Sequence, residues 1–443
     1  MHALAHPALT QPGIAVHSVQ KGESLPGIVY RYLADTRFMS GRELESAIRQ
    51  QNPGLKGIFP KPGTQIFIPA YEPQPWIEKP RPISKDFEIR AIYLTGAMAG
   101  GEHGLSIIRR WREAGGNAVV FDIKDSDGSL SIPFPHPLAP QARRVPLRNL
   151  AKFTRYVHSL GMHAIARIAI FRDEHIANNH PEMAIRSRRT GEPWRENGKL
   201  AWTDPSKDAV QQYNMALAMF AAQNGADEIQ FDYVRFPAEG DQKDARFAFE
   251  TEHPNWKRTD VITDFVARAH AQLKPMGVLL SLDVFGVVAW QRPIDLAHTG
   301  QDIPQMAKHC DVLSPMIYPS HFFGMDGYAL PGDAPEHFIG TSMERFAKIT
   351  ADSGVVLRPW LQAFGWKTKT YSPEYIRVQV RVAKEKGGIG FLFWNARNDY
   401  GKPFAAMPDI MATPGKFVRG DERNTHRPAQ ATAALVTTSP AGN

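Results

Sequence analysis

The stretch with the most chemistry in it is 228–237, EIQFDYVRFP, where Asp232 and Arg235 interrupt an apolar run of Ile229, Phe231, Tyr233 and Phe236. A charge at the end of a hydrophobic strand costs desolvation free energy unless it is paired or used. The same placement recurs along the chain. Asp122, Lys124 and Asp125 follow AVVF, Arg167 lies in HAIARIAIF, and Asp283 in LSLDVFG. Tyr318 and His321 end another apolar run, Gln362 the next, and Trp394, Asn395 and Arg397 the last, with Trp290, Trp360 and Trp366 close by. Carboxylates, a few arginines and several indoles suit a site for sugar rings. Aromatic faces cover the apolar face of a pyranose, while carboxylates and amides bond its hydroxyls.

Hydrolysis of a glycosidic bond commonly needs two carboxyl groups, one ionised and one protonated. Asp232 is expected to be the nucleophile, because Arg167 or Arg235 would keep it ionised, and Asp283, on the neighbouring strand, the acid/base. That pairing is a retaining mechanism, which requires a carboxyl separation of roughly 5–5.5 Å rather than the roughly 6.5–9.5 Å of inversion. Asp122, Lys124, Arg167, Arg235, Trp290, Tyr318, His321, Gln362, Trp394 and Asn395 are the expected substrate contacts. Plainer roles compete with these. Asp232 could be a buried acid paired with either arginine, Asp122 and Lys124 a strand-end ion pair, and the tryptophans core. No HExxH or His/Cys spacing signals a metal, and neither a GxGxxG turn nor a phosphate loop signals a nucleotide. The reading therefore includes no cofactor, and deacetylation at a metal site is disfavoured. The rival class is a non-catalytic glycan-binding or surface-assembly protein with a silent barrel, recognisable by a pocket offering a sugar a single carboxylate.

The elements that must position these residues alternate regularly. Apolar strands are expected at 89–96, 118–124, 163–171, 228–236, 278–286, 311–319, 355–364 and 389–396, with amphipathic helical stretches between them. The strands are nearly continuous apolar runs, as in parallel sheets covered on both faces. Eight strand–helix units over 88–416 predict a (β/α)8 TIM barrel, whose site forms at the C-terminal ends of the strands.

Ahead of the barrel, residues 1–16 read as a flexible lead and 17–69 as a compact β-α-α-β unit. HSVQKGESL and GTQIFIP supply its strands, and GIVYRYL and RELESAIRQQNP its helices, the second with Leu44, Ala47 and Ile48 on one face. Five prolines from Pro69 to Pro82, both included, mark 70–87 as an extended linker. The Ser/Thr/Ala/Pro-rich residues 417–443 read as a disordered tail. A charge of +7 on 443 residues, without an Arg/Lys run bearing interleaved aromatics, disfavours nucleic acid. The single cysteine, Cys310, excludes an intrachain disulfide, and no 18-residue apolar run could span a bilayer. The first residues lack the basic start and apolar stretch of a signal peptide.

Two resemblances add to this reading. The unit at 17–69 resembles a LysM domain through Gly22, Glu23, Ser24 and Leu25 of its opening turn, Asn52 and Pro53 after its second helix, and Gly63, Ile66, Ile68 and Pro69 at its close. It departs from that pattern at Pro26 and in a longer segment between the helices. The resemblance implies binding of N-acetylglucosamine-containing glycans such as peptidoglycan or chitin, and hence a place in the cell envelope or secretion. The barrel resembles a family of glycoside-hydrolase-like TIM barrels originally defined as a domain of unknown function. NAVVFDIKDSDG at 117–128, GMHAIARIAIFRD at 161–173, QFDYVRFP at 230–237 and LSPMIYPS at 313–320 carry that likeness. It implies hydrolysis of a polysaccharide and leaves the bond unspecified.

Overall fold

The structure is a computed structural model that describes residues 9–11, 13–72, 75–142 and 145–412. The segment 417–443 and most of 1–16 lie outside the described residues. Eight parallel strands close into a barrel, and helices surround it. The strands are β1 (Ile89–Leu94), β2 (Ala118–Lys124), β3 (His163–Ala169), β4 (Glu228–Asp232), β5 (Leu279–Phe285), β6 (Val312–Ile317), β7 (in two pieces, Val356–Leu357 and Trp360–Gln362) and β8 (Gly390–Trp394). Each pairs with its sequence neighbours, and β8 pairs back onto β1. At that seam Gly390 has φ +86°, and a Cβ there would lie 2.1 Å from the Ile89 carbonyl oxygen. Only glycine closes the barrel at this point.

The helices are α1 (Glu102–Glu113), α2 (Leu150–Ser159), α3 (Asp208–Gln223), α4 (Arg258–Leu273), α5 (Ile303–Met306), α6 (Pro335–Ile349), α7 (Pro373–Glu385) and α8 (Gly401–Ala412). Side-chain caps fix several of their starts; Asn149 accepts from the Lys152 N–H to open α2, and Ser372 from the Tyr375 N–H to open α7. Their apolar faces meet the outside of the sheet, where Trp111, Phe121, Phe153, Phe231 and Phe265 are buried. Inside the barrel, Val120, Ile165, Trp360 and Leu392 pack one side. The other side is polar and layered. At its base Glu228 accepts two bonds from Arg358, at 2.8 and 3.0 Å, and pairs with His163 at 3.2 Å. Burial opposes its charge, yet Arg358 and His163 hold its carboxyl down at about 2.

Most strands stop earlier than their apolar runs, for local reasons. β1 ends where Thr95 caps the short helix Gly96–Ala99. β4 ends at Asp232 because Tyr233 turns to φ +51°. β7 breaks at Arg358-Pro359, since proline cannot donate to a ladder.

The N-terminal unit has the expected order. Strands Ile14–Ser18 and Gln65–Pro69 pair antiparallel around helices Leu25–Tyr32 and Gly41–Gln51, and Leu9–Gln11 adds an edge strand. Leu25, Ile28, Leu44, Ile48, Ile66 and Ile68 form its own core. Asn52 explains part of the Asn-Pro pair: its amide donates to the Ile48 and Phe67 carbonyls and accepts from the Phe67 N–H, clamping helix to strand. The linker is extended but pinned. Trp76 donates to the Ala34 carbonyl at 2.9 Å, with the Lys152 and Arg155 cations over its ring. Glu78 bonds His158 at 2.8 Å, the Arg81 N–H donates to Asp227, and Lys85 donates to the Gly354 carbonyl. It straps the small unit to α2 and to the N-terminal end of the barrel. No described helix is long and apolar enough to cross a membrane.

Candidate active site

Register brings the acids together. Phe231 pairs with Leu282 across β4 and β5, so Asp232 and Asp283 stand side by side where those strands end. Gln230 and Arg167 are partners across β4 and β3, and Asp122 and Arg167 across β3 and β2. The Arg167 guanidinium thus sits among three carboxylates. It donates to Asp122 and to Asp232, each at 2.5 Å, and its Nε lies 3.9 Å from Asp283. All four side chains are buried.

The acids differ in what surrounds them. Burial and the neighbouring Asp232 carboxylate push the Asp283 carboxyl well above the ordinary range, against Arg167 and the Trp360 indole, which donates to it at 2.7 Å. Burial pushes Asp122 up to about 6, although Arg167 and a short bond from the Tyr93 hydroxyl oppose that rise. Of the two acids ion-paired with Arg167, Asp232 is the one that lines the cavity. Its other oxygen accepts from the Tyr233 N–H at 2.6 Å. Tyr233 reaches that position only through its positive φ, a conformation costing a non-glycine residue roughly 1–2 kcal/mol. Such strain concentrates at functional sites.

A cavity of about 450 Å³ opens above this cluster, with Asp232, Asp283, Arg167 and Trp360 at its floor and Tyr233, Phe285, Tyr318, His321 and Trp394 on its walls. Tyr318 and Trp394 stack with ring centroids 5.6 Å apart, and the His321 ring lies edge-on to Tyr318. Burial and Lys367 lower the His321 pKa, favouring the neutral ring.

Among the expected site residues, Asp232, Asp283, Arg167, Tyr318, His321 and Trp394 line the cavity. Asp122 lies behind Arg167. Lys124 faces the other way: a register shift after Asp122 turns it outward, where it pairs with Asp173 at 2.8 Å and bonds Asn214 of α3. Arg235 makes no ion pair with Asp232; its guanidinium lies over Phe285, Trp202 and Tyr233. Trp290 packs on Phe322 beneath the Arg345 cation. The Gln362 amide accepts from the Ser320 N–H and donates to Phe364 and Thr368, which fixes two loops. Asn395 donates to the Ala363 and Asp399 carbonyls and borders an adjoining basin. Tyr93 was not expected, because one hydroxyl at the end of an apolar run leaves no pattern. Trp360 was expected near the rim, but not as a donor to Asp283. Among the described residues no cluster of His, Cys, Asp and Glu has the arrangement of a metal site.

A barrel whose strand ends carry interacting, buried carboxylates beneath an aromatic-walled cavity fits a hydrolase acting on a glycan. A family model described as "Putative glycosyl hydrolase domain" matches residues 91–400. Among solved structures, a hypothetical protein from Ruminiclostridium thermocellum is 32% identical over 44% of this chain and 97% of its own, with a TM-score of 0.38. The PgaB (BpsB) glycoside hydrolase domain of Bordetella bronchiseptica is 16% identical over 74% of this chain and 97% of its own, with a TM-score of 0.55. Alpha-L-fucosidase isoenzyme 2 of Paenibacillus thiaminolyticus is 13% identical over 73% of this chain and 49% of its own, with a TM-score of 0.50. The last two share the fold. No curated protein matches the sequence.

Proposed function

We propose that this chain, which belongs to the family described as "Putative glycosyl hydrolase domain", hydrolyses a glycosidic bond in an envelope or extracellular polysaccharide, with Asp232 as nucleophile and Asp283 as acid/base. The observation that carries the assignment is the contrast between two neighbouring carboxyls. Asp232 is ion-paired with Arg167, whereas burial and the neighbouring Asp232 push the Asp283 carboxyl well above the ordinary range.

In this reading a sugar ring packs against Tyr318 and Trp394, which line the same cavity as Asp232. Asp283 gives its proton to the glycosidic oxygen while an Asp232 oxygen forms a bond to the anomeric carbon, and the leaving sugar departs as an alcohol. Esterification removes the Asp232 charge. With it goes one cause of the raised Asp283 carboxyl, so Asp283 is now able to take a proton from the incoming water. Water adds to the anomeric carbon, the ester bond breaks, and Asp232 returns to Arg167. Arg167 opposes charge build-up through both half-reactions, and Asp122 with Tyr93 holds the guanidinium in place. Asp122 is a positioning residue in this scheme.

The N-terminal unit is assigned, on its LysM resemblance, to weak binding of N-acetylglucosamine polymers. Supporting this, Phe59 and Ile58 are exposed in the loop that closes over the opening turn, where the Ile58 carbonyl accepts from the Leu25 N–H. The test of the whole reading is a panel of defined polysaccharides incubated with the full chain and read for new reducing ends. Release from at least one polymer, abolished in Asp232→Asn, is expected. Glycan retention without release from any member would favour the silent-barrel alternative.

A further inference from the structure

The catalytic cavity does not end at its aromatic wall. Trp394 and His321 also border a second, larger basin of about 940 Å³, which runs over the loops after β7 and β8 to the start of α8. A groove continuing past the cleavage point suits a polymer. One residue set along it carries a charge pattern unlike the surrounding surface. On α7, Arg377 pairs with Glu374 and Asp409, and Arg381 with Glu336 and Glu385. Arg397 and Lys402, by contrast, line the basin, and neither makes an ion pair among the described residues. The Lys367 ammonium stands at the same rim, over the rings of Phe323 and Trp366. Trp366 is 49% exposed there, and the part of its indole that Lys367 leaves uncovered is open to a sugar. The one acid of the lining, Asp399, already accepts from the Gly401 N–H at the start of α8.

We propose that this basin holds the sugar units adjoining the cleaved bond, with Trp366 as a stacking platform and Arg397 and Lys402 selecting a unit that bears a carboxylate. The substrate class is then an acidic polysaccharide containing uronic acid or another carboxylated sugar. This rests on the hydrolase reading only for the direction of the chain through the groove. Two cations facing one carboxylate give charge-assisted bonds, stronger than neutral ones and sensitive to salt.

The test separates binding from turnover. Full-length Asp283→Asn protein is applied to an array that carries neutral oligosaccharides and their uronate counterparts of the same linkage. The uronate member of at least one pair is expected to bind roughly tenfold more tightly, with the advantage shrinking at 0.5 M salt. Adding Arg397→Gln and Lys402→Gln should abolish the difference while leaving neutral binding in place. Adding Trp366→Ala should weaken both members. Thermal melting confirms that each surface variant is folded. Equal binding within every pair, or a uronate preference that survives loss of both cations, overturns the proposal. Neither result depends on cleavage. A chain that releases no reducing ends yet keeps the charge-dependent preference would fail the hydrolase reading and satisfy this one.

Discussion

Replacing Arg167 with methionine removes the cation that Asp122, Asp232 and Asp283 share. The guanidinium has two contacts at 2.5 Å and one at 3.9 Å. Opposite charges about 4 Å apart attract by about 4 kcal/mol at an effective dielectric of about 20. Desolvation of the buried arginine offsets much of two such terms. Removing one partner of a buried ion pair typically costs about 3–5 kcal/mol, and that is the expected loss here. At about 1.5 °C per kcal/mol for a barrel of this size, melting should fall by roughly 4–8 °C. The loss should depend on pH. Asp122, already pushed up to about 6, and Asp283, raised further, would hold protons to still higher pH without the cation. A carboxyl whose folded pKa exceeds its unfolded value contributes stability that is complete below the unfolded value and lost as pH rises through the folded one. The deficit of the variant should therefore be small near pH 4 and grow toward pH 8. Urea denaturation at pH 4.5, 6 and 8 measures it, with Arg167→Lys as a variant that keeps charge without the fork. A deficit under about 1 kcal/mol at pH 8, or one equal at all three pH values, would refute the shared-cation argument.

Asp122→Asn should flatten the pH dependence of wild-type stability, because a carboxyl raised from 3.8 to about 6 accounts for a loss of about 2 kcal/mol between pH 4 and 7; matched denaturation curves would show it. Trp360→Phe deletes a donor that favours the charged form of Asp283, so the alkaline limb of kcat/KM should move to higher pH, and an unmoved limb would argue against Asp283 as the acid. Lys124→Met leaves Asp173 buried without its cation, so stability should fall by about 3–5 kcal/mol while KM stays within about twofold. A larger KM change would place Lys124 in the substrate site after all.

The barrel was legible because its strands are buried on both faces, so each announces itself as an apolar run with a turn after it. The acids were legible for the opposite reason: Asp232 and Asp283 break those runs where a barrel exposes its strand ends. Their partners were harder to read. Two-residue alternation puts Lys124 on the same face as Asp122, and the register shift that turns it outward has no mark in the sequence. Of the two arginines the sequence offers Asp232, Arg235 is separated from it by the positive φ of Tyr233, and Arg167 on the next strand is the one that pairs with it. Trp290 ends a short 3-10 turn after β5 and is carried away from the cavity onto Phe322. The prolines mark an extended linker, but nothing in its composition shows that Trp76 bonds the N-terminal unit at Ala34 while Glu78 and Arg81 find partners on α2 and before β4.

The most direct test of the central claim traps the intermediate. Asp283→Gln protein is incubated with a panel of 2-deoxy-2-fluoroglycosyl fluorides, whose leaving group needs no acid and whose fluorine slows breakdown of the ester. Intact-mass and peptide mass spectrometry then locate any sugar adduct. The account predicts one glycosyl adduct on the peptide containing Asp232, absent when Asp232→Asn is added. An adduct on another residue, or turnover of a natural glycan with inversion at the anomeric carbon and no adduct, would contradict it.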